Sequence, residues 1–264
     1  MAAGALIAGP KDAPLVVLIH GLGGSHHTWD RVVPLIERDA RVYALHLTGS
    51  DSIERDADLA AELIPEPALL VGHSRGGLVA TAIAERQPAL ASRLILICPP
   101  WAPESRLRAQ RPTERVLAIP GIGHLIWTAA TDAQRRHALA TAFAPGTPVP
   151  HQFVADLRAT GRRRFVTASR AIDAYLAKAP LAVRLAALGV PAELVFGQYD
   201  ARITPPPLGA LPHTLLAGVG HTPPWEAPEY IAALISAALN GERYDPVEQD
   251  TQAAARVAGS QVRC

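Results

Sequence analysis

The stretch that decides the fold is Val71-Gly72-His73-Ser74-Arg75-Gly76-Gly77. It follows a short aliphatic run and precedes a segment with helical periodicity, so a strand is predicted to turn directly into a helix. A turn this sharp holds its central residue, Ser74, in a strained backbone conformation and lifts the hydroxyl out of the sheet. Glycines on both sides leave room for the crowded backbone. The stretch therefore predicts a serine nucleophile at a helix N-terminus.

Strands and helices alternate on both sides of this turn. Six aliphatic runs have the length of buried strands: 15–19, 41–45, 68–71, 93–98, 192–196 and 213–216. Helical segments separate most of them, and a final helix is predicted over 228–240. This order predicts an α/β fold with a mainly parallel, twisted sheet and helices on both faces. We expect the core to comprise residues 1–100 and 182–241.

Residues 101–181, which we call the insertion, interrupt this alternation. They contain no convincing strand run, and prolines break their helical stretches. They carry eleven Arg and one Lys against two Glu and three Asp, a net charge of +7, which leaves −6 on the rest of the chain. The charge fits either a solvated helical surface or a surface that attracts an anionic substrate or an acyl carrier. Residues 242–264 are polar and are predicted to form a loose tail.

Composition excludes several classes of protein. With 49% hydrophobic and 19% charged residues among 264, the chain is not intrinsically disordered. A net charge of +1 gives no signature of a nucleic-acid partner, and no apolar run is long enough for a membrane span. The two cysteines, Cys98 and Cys264, fit a reducing cytoplasm. We expect no cofactor and no metal, since the adjacent pair His26-His27 is poorly placed to share one ion.

A serine nucleophile needs a base, and His221 is the best placed of ten histidines. It ends Gly218-Val219-Gly220-His221, a loop between the last predicted strand and the last helix, which can reach across the carboxyl ends of the strands. His213 is the second candidate. His20 and His73 are expected to have structural roles, because His20 lies in the first glycine-rich loop and His73 points away from its neighbour Ser74.

The predicted acid is Asp200, which three residues separate from the strand at 192–196. Along the chain the serine comes first, then the acid, then the histidine. Unrelated folds that bring these three residue types together differ in this order, and the present order is typical of one of them. The oxyanion donors are predicted to be the backbone N–H groups of Arg75, directly after the serine, and Leu22, in His20-Gly21-Leu22-Gly23-Gly24.

Taken together, these motifs resemble those of the α/β-hydrolase superfamily, specifically its lidded esterase and lipase-like members. The resemblance covers about residues 15–100 and 181–240. It implies that Ser74, Asp200 and His221 form a catalytic triad, and that the insertion is a helical lid over the pocket. The sequence differs from the family pattern in two features. Few residues precede the first strong strand, although residues 5–8 are a candidate for a further strand, and the loop at 46–51 is short. A serine nucleophile argues against the haloalkane dehalogenase and epoxide hydrolase members, which use aspartate.

The leading functional hypothesis is hydrolysis of a carboxylic ester through an acyl-enzyme, with a small-molecule ester or acyl substrate. A second hypothesis keeps the triad but makes the protein a thioesterase, C–C hydrolase or cyclase for an anionic or carrier-bound natural-product intermediate. A third is a small-molecule receptor with an inactive triad. Trp101 and Trp127 of the insertion are expected to bind substrate, although packing within the insertion would also explain its aromatic residues.

Overall fold

The computed structural model describes residues 4–106, 111–207, 209–242 and 244. Within them, seven strands form one sheet: β1 (Gly4–Ala8), β2 (Leu15–Ile19), β3 (Arg41–His46), β4 (Ala68–His73), β5 (Ala91–Ile97), β6 (Ala192–Gly197) and β7 (Thr214–Leu216). Their spatial order is β1-β3-β2-β4-β5-β6-β7. All neighbours are parallel except β1, which pairs antiparallel with β3. The predicted α/β class with a mainly parallel sheet is confirmed.

Eleven α-helices occur in the described ranges: α1 (Val33–Ile36), α2 (Ile53–Ala61), α3 (Arg75–Arg86), α4 (Arg111–Ala118), α5 (Ile122–Ala129), α6 (Asp132–Leu139), α7 (His151–Thr160), α8 (Arg162–Lys178), α9 (Leu181–Ala187), α10 (Pro223–Glu226) and α11 (Pro228–Leu239). No described helix has the length and hydropathy required to span a bilayer.

The sheet is buried between two apolar layers, because its central strands present aliphatic side chains to both faces. Every residue of β2 and β4 is buried. On one face, residues of α2, α3 and α8 complete the larger core cluster. On the other face, α1 and α11 complete a second cluster. The sheet is therefore covered on both sides, as its continuous aliphatic runs require.

The insertion forms helices α4 to α8 between β5 and β6. Helix α8 also joins the core, because Ile172, Tyr175 and Leu176 are buried in the same cluster as α2 and α3. The division into core, insertion and tail stays a prediction. Of the predicted tail, residues 243 and 245–264 lie outside the part of the chain that the structure describes.

Candidate active site

The turn between β4 and α3 has the strained conformation expected from its glycines. Ser74 has φ 54° and ψ −121°, a region that L-residues rarely adopt, and its N–H donates to Ile97 O at 2.7 Å. A Cβ on Gly72 would lie 2.4 Å from Gly76 O, and one on Gly76 would lie 2.2 Å from Ile19 O. Both positions therefore exclude any other residue, and the close packing holds Ser74 in place.

Three side chains from distant parts of the chain meet at the carboxyl end of the sheet. His221 Nε2 lies 3.0 Å from Ser74 Oγ, and His221 Nδ1 lies 2.7 Å from Asp200 Oδ2. The carboxylate can only accept, so Nδ1–H donates to Asp200 and leaves Nε2 to accept the Ser74 proton. The structure thus brings together the serine, base and acid that the sequence predicted, in hydrogen-bonding order.

Asp200 is held as a carboxylate by its surroundings. Burial alone would raise its pKa, but the charge of His221 and hydrogen bonds from His221, Ile203 and Arg202 outweigh burial and lower the pKa below its usual value. The backbone N–H groups of Arg202 and Ile203 donate to Oδ1 at 2.8 and 2.9 Å. The second oxygen stays free for His221, so the imidazole has a fixed tautomer and orientation.

His73 supports His221 from behind. Its Nε2–H donates to His221 O at 2.7 Å, and the rings lie 5.1 Å apart. Burial, with the nearby charge of His221, lowers the pKa of His73 to about 3, so it stays neutral. The other candidate base, His213, donates through Nδ1 to Leu211 O and packs on Phe196 instead. The backbone carbonyl of His221 is thus fixed by a neutral histidine.

Cys98 lies behind the acid. Its Sγ, an Asp200 oxygen and a His221 nitrogen lie within 4.8 Å of one another, the one group of potential metal ligands found in the described ranges. Burial and the charge of Asp200 raise the pKa of the Cys98 thiol well above its usual value. A protonated thiol is a poor metal ligand, and His221 Nδ1 already donates to Asp200, so this donor set fits a proton relay better than an ion.

The loop after β2 passes directly beside the nucleophile. A Cβ on Gly21 would lie 3.0 Å from Ser74 Cβ and 3.2 Å from His73 Nδ1, so any side chain here would press on the nucleophile and force its neighbours to shift by a few tenths of an ångström. His20 fixes the loop, because its Nδ1–H donates to Gly21 O and its Nε2 accepts from Leu47 N–H. Burial lowers the pKa of His20 to about 4, which keeps the ring neutral for both bonds.

The predicted oxyanion donors follow from this placement, although their role stays a prediction. Leu22 lines the cavity in front of Ser74, and Arg75 opens α3 directly after it. The Arg75 side chain points elsewhere: it forms a buried ion pair with Asp56 of α2, and its Nε donates to Ala168 O of α8. No motif or spacing predicts this pair, because its members are 19 positions apart on different helices.

The residues that line the cavity beside Ser74 and His221 differ from those predicted. Neither predicted tryptophan lines it: Trp101 packs against the core and donates to Thr204 O, while Trp127 stacks near Phe165 beside a different, surface concavity. Packing of α5 against α8 turns Trp127 away. The apolar walls of the Ser74 cavity come instead from Leu22, Leu139, Phe153, Phe165, Ile172 and Ile203.

Charged residues of the cavity were also missed by sequence reasoning. Arg106, Glu114 and Arg202 line it together with the apolar residues. Nothing in the sequence separates Arg106 and Glu114 from the other charged residues of the chain, because their place in the cavity wall depends on how the helices of the insertion pack. Only Arg202 had a local signal, its position two residues after the predicted acid.

The mainly parallel sheet and the serine, histidine and aspartate at its carboxyl end are typical of one large family of hydrolases. A model of the alpha/beta hydrolase family matches residues 16–234, and the chain belongs to this family. The chain is also similar in sequence to individual proteins with a named activity. A pimeloyl-[acyl-carrier protein] methyl ester esterase of Neisseria meningitidis serogroup A is 31% identical over 260 residues, covering 90% of this chain and 80% of the relative. The protein of the same name from Aromatoleum aromaticum is 30% identical over 270 residues, covering 87% of this chain and 100% of the relative.

Solved structures show the same fold. A thermophilic esterase from Thermogutta terrifontis aligns with a TM-score of 0.72 at 20% identity, covering 90% of this chain and 93% of that chain. The expected resemblance to esterase-like α/β hydrolases is therefore confirmed.

Proposed function

We propose that the protein is a serine esterase that hydrolyses the carboxylic ester of an acyl chain carried by an acyl carrier protein. The observation that carries the proposal is the continuous hydrogen-bonded path from Ser74 Oγ through His221 to Asp200, with distances of 3.0 and 2.7 Å. This arrangement activates a serine for attack on an acyl carbon. We also place the protein in the cytoplasm, in keeping with its free, buried Cys98.

The residues have distinct roles in this reaction. Ser74 Oγ attacks the ester carbonyl while His221 Nε2 takes its proton, and His221 then gives this proton to the departing alcohol. Asp200 stabilises the imidazolium that forms between these steps. The N–H groups of Leu22 and Arg75 stabilise the oxyanion, and water, activated by His221, releases the acid and restores Ser74.

Two observations support a carrier-bound substrate. The relatives named above act, by their names, on an ester attached to an acyl carrier protein. The insertion has a net charge of +7, and part of this charge, on Arg162, Arg163 and Arg164, lines a surface concavity. Arg55 and Asp51, outside the insertion, line the same concavity and lie within ion-pair distance of each other. A basic surface would attract an acidic carrier or the phosphate of its prosthetic arm.

This concavity lies next to the Ser74 cavity. Arg163 and Arg164 are exposed near the start of α8, and the next residue, Phe165, lines the Ser74 cavity. Neither guanidinium has a carboxylate within ion-pair distance in the described part of the chain, so both are available to a partner. A carrier held at α8 would therefore present its acyl arm close to the nucleophile.

A carrier-linked methyl ester tests the proposal. Wild type should release methanol and leave the acyl group on the carrier, and Ser74→Ala should lower kcat by about 10⁴- to 10⁶-fold. Mass spectrometry of the carrier distinguishes the products. Release of the acyl group from the carrier thiol would favour the alternative thioesterase function, and unchanged turnover by Ser74→Ala would refute the covalent route.

Charge-reversal variants test the docking surface separately. Arg163→Glu with Arg164→Glu should lower kcat/KM for the carrier-linked ester by about tenfold or more, but not for a small neutral ester. Arg38→Glu with Lys11→Glu is the matched control, since these two exposed residues precede β3 and β2 and lie near the amino ends of the strands. Equal effects of both changes on the carrier-linked ester would contradict docking at α8.

A further inference from the structure

The guanidinium of Arg202 lines the same cavity as Ser74 and His221. Its backbone lies next to the triad, because Arg202 N–H donates to Asp200 Oδ1. Its side chain extends towards the insertion, where Nη2 donates to Ala138 O in the last turn of α6 at 3.2 Å. Arg202 thus connects the triad acid with the helix above the cavity.

The guanidinium of Arg202 forms no ion pair in the described part of the chain, although the charges of Asp200 and Glu114 act on it from further away. Its Nε is buried without a hydrogen-bond partner, and no described carboxylate oxygen lies within 4.0 Å of the guanidinium. Burial lowers the pKa of Arg202, although an arginine stays protonated. A partly buried cation without a direct ion-pair partner would be stabilised by an anion bound in the cavity.

The other arginine of this cavity, Arg106, forms two ion pairs. Arg106, on the same cavity wall, contacts Glu114 at 2.6 Å and Asp173 at 3.0 Å. Glu114 also accepts from Ser169 Oγ, so it is engaged on both oxygens. Arg106 thus already contacts two carboxylates, whereas the Arg202 guanidinium forms no ion pair with any described residue.

We propose that Arg202 forms a carboxylate subsite, so that free half-esters of dicarboxylic acids are a second class of substrate. The cavity walls near Ser74 and Arg202 are mostly apolar, with Phe153, Phe165 and Leu139 among them. This combination fits a molecule with an ester at one end, methylene groups between, and a carboxylate at the other. The guanidinium fork matches the carboxylate oxygens in geometry and charge.

The reaction at this subsite is the ester hydrolysis proposed above, on which the inference rests. Ser74 Oγ adds to the acyl carbon while His221 takes its proton, the bond to the alkoxy oxygen breaks, and the alcohol leaves with that proton. Water, deprotonated by His221, then cleaves the acyl-enzyme bond, which releases the acid and restores the Ser74 hydroxyl. The distal carboxylate takes no part in bond making. Its contribution is binding and orientation of the chain.

Matched pairs of esters test the subsite. Monomethyl and dimethyl esters of the same straight-chain dicarboxylic acids differ at the distal end, which is a carboxylate at neutral pH in the monoester and an uncharged methyl ester in the diester; rates for the diester are halved to correct for its two cleavable groups. Wild type should favour the monoester in kcat/KM by about 10- to 100-fold, the range of a charge-assisted hydrogen bond. Arg202→Met should bring this ratio close to one, and Arg202→Lys should retain part of it, because the charge remains without the fork.

Arg136→Met is the control, since Arg136 is exposed on α6 and should leave the ratio unchanged. If Arg202 served only to cap α6, Arg202→Met would lower both rates equally and the ratio would persist, which would overturn the proposal. A wild-type ratio near one at every chain length would also overturn it.

Calorimetry separates this proposal from the proposed function. In Ser74→Ala protein, the monoester should bind at least about tenfold more tightly than the diester, and adding Arg202→Met should abolish the difference. This result would establish the subsite even if wild type cleaved neither ester. Equal affinities would refute the subsite even if both esters were cleaved.

Discussion

Replacing Arg75 with methionine is expected to destabilise the fold by about 3–5 kcal/mol, the usual cost of leaving one charge of a buried pair uncompensated. The side chains of Arg75 and Asp56 are only 5% and 3% exposed, so water cannot solvate the remaining carboxylate. Asp56 also accepts from Ser50 N–H, which holds it in place when its partner is removed. Methionine keeps the apolar stem and the backbone N–H of position 75.

Urea unfolding of four proteins measures this cost: wild type, Arg75→Met, Asp56→Asn and the double variant. Asparagine retains an acceptor for Ser50 N–H but removes the charge. The double variant should therefore be more stable than Arg75→Met alone, with a coupling energy of about 2 kcal/mol or more. A loss below about 1 kcal/mol in Arg75→Met, or strictly additive effects, would refute the account of this ion pair.

Three further predictions follow from the site. Gly21→Ala should lower kcat by about tenfold or more, because the new methyl group would press on Ser74 and displace the oxyanion loop; steady-state kinetics at unchanged urea midpoint measure it, and wild-type turnover would contradict it. Acidification from pH 7 to about pH 4.5 should lower the free energy of unfolding by about 2 kcal/mol for each of His20 and His73. In the unfolded chain these histidines take up protons near pH 6.5, whereas their pKa values in the folded protein are about 4 and about 3. Equal unfolding free energies at the two pH values would refute this prediction. Asp156→Ala should accelerate hydrogen exchange in α7, because the buried Asp156 carboxylate accepts a hydrogen bond at 2.7 Å from Ser25 Oγ, in the loop after β2. Unchanged exchange in α7 relative to α11 would show that this contact does not stabilise α7.

The core of the site could be predicted because local sequence determines it. Ser74 and His221 lie in glycine-rich turns at strand ends, and Asp200 follows a strand by three residues. In a parallel sheet, the carboxyl ends of the strands lie at the same edge, so residues that directly follow the strands lie close together whatever the packing of the helices. Their convergence needed no knowledge of tertiary packing.

The walls of the cavity could not be predicted in this way. Trp127 and Phe165 both belong to helices of the insertion, but only Phe165 faces the Ser74 cavity. Which helical face is inward depends on how short helices pack after proline-broken loops, and hydrophobic periodicity alone leaves several arrangements open. Arg202 shows the same limit, because the carbonyl that it contacts lies 64 positions away in α6.

Covalent labelling tests the central claim, that Ser74 is a nucleophile activated by His221 and Asp200. Intact-mass and peptide analysis after incubation with a fluorophosphonate should show one adduct, on Ser74, in wild type. The rate of labelling should fall by at least about 10³-fold in His221→Ala, whose serine has lost its base. An unlabelled wild-type Ser74, or equal labelling rates in the two proteins, would contradict the account.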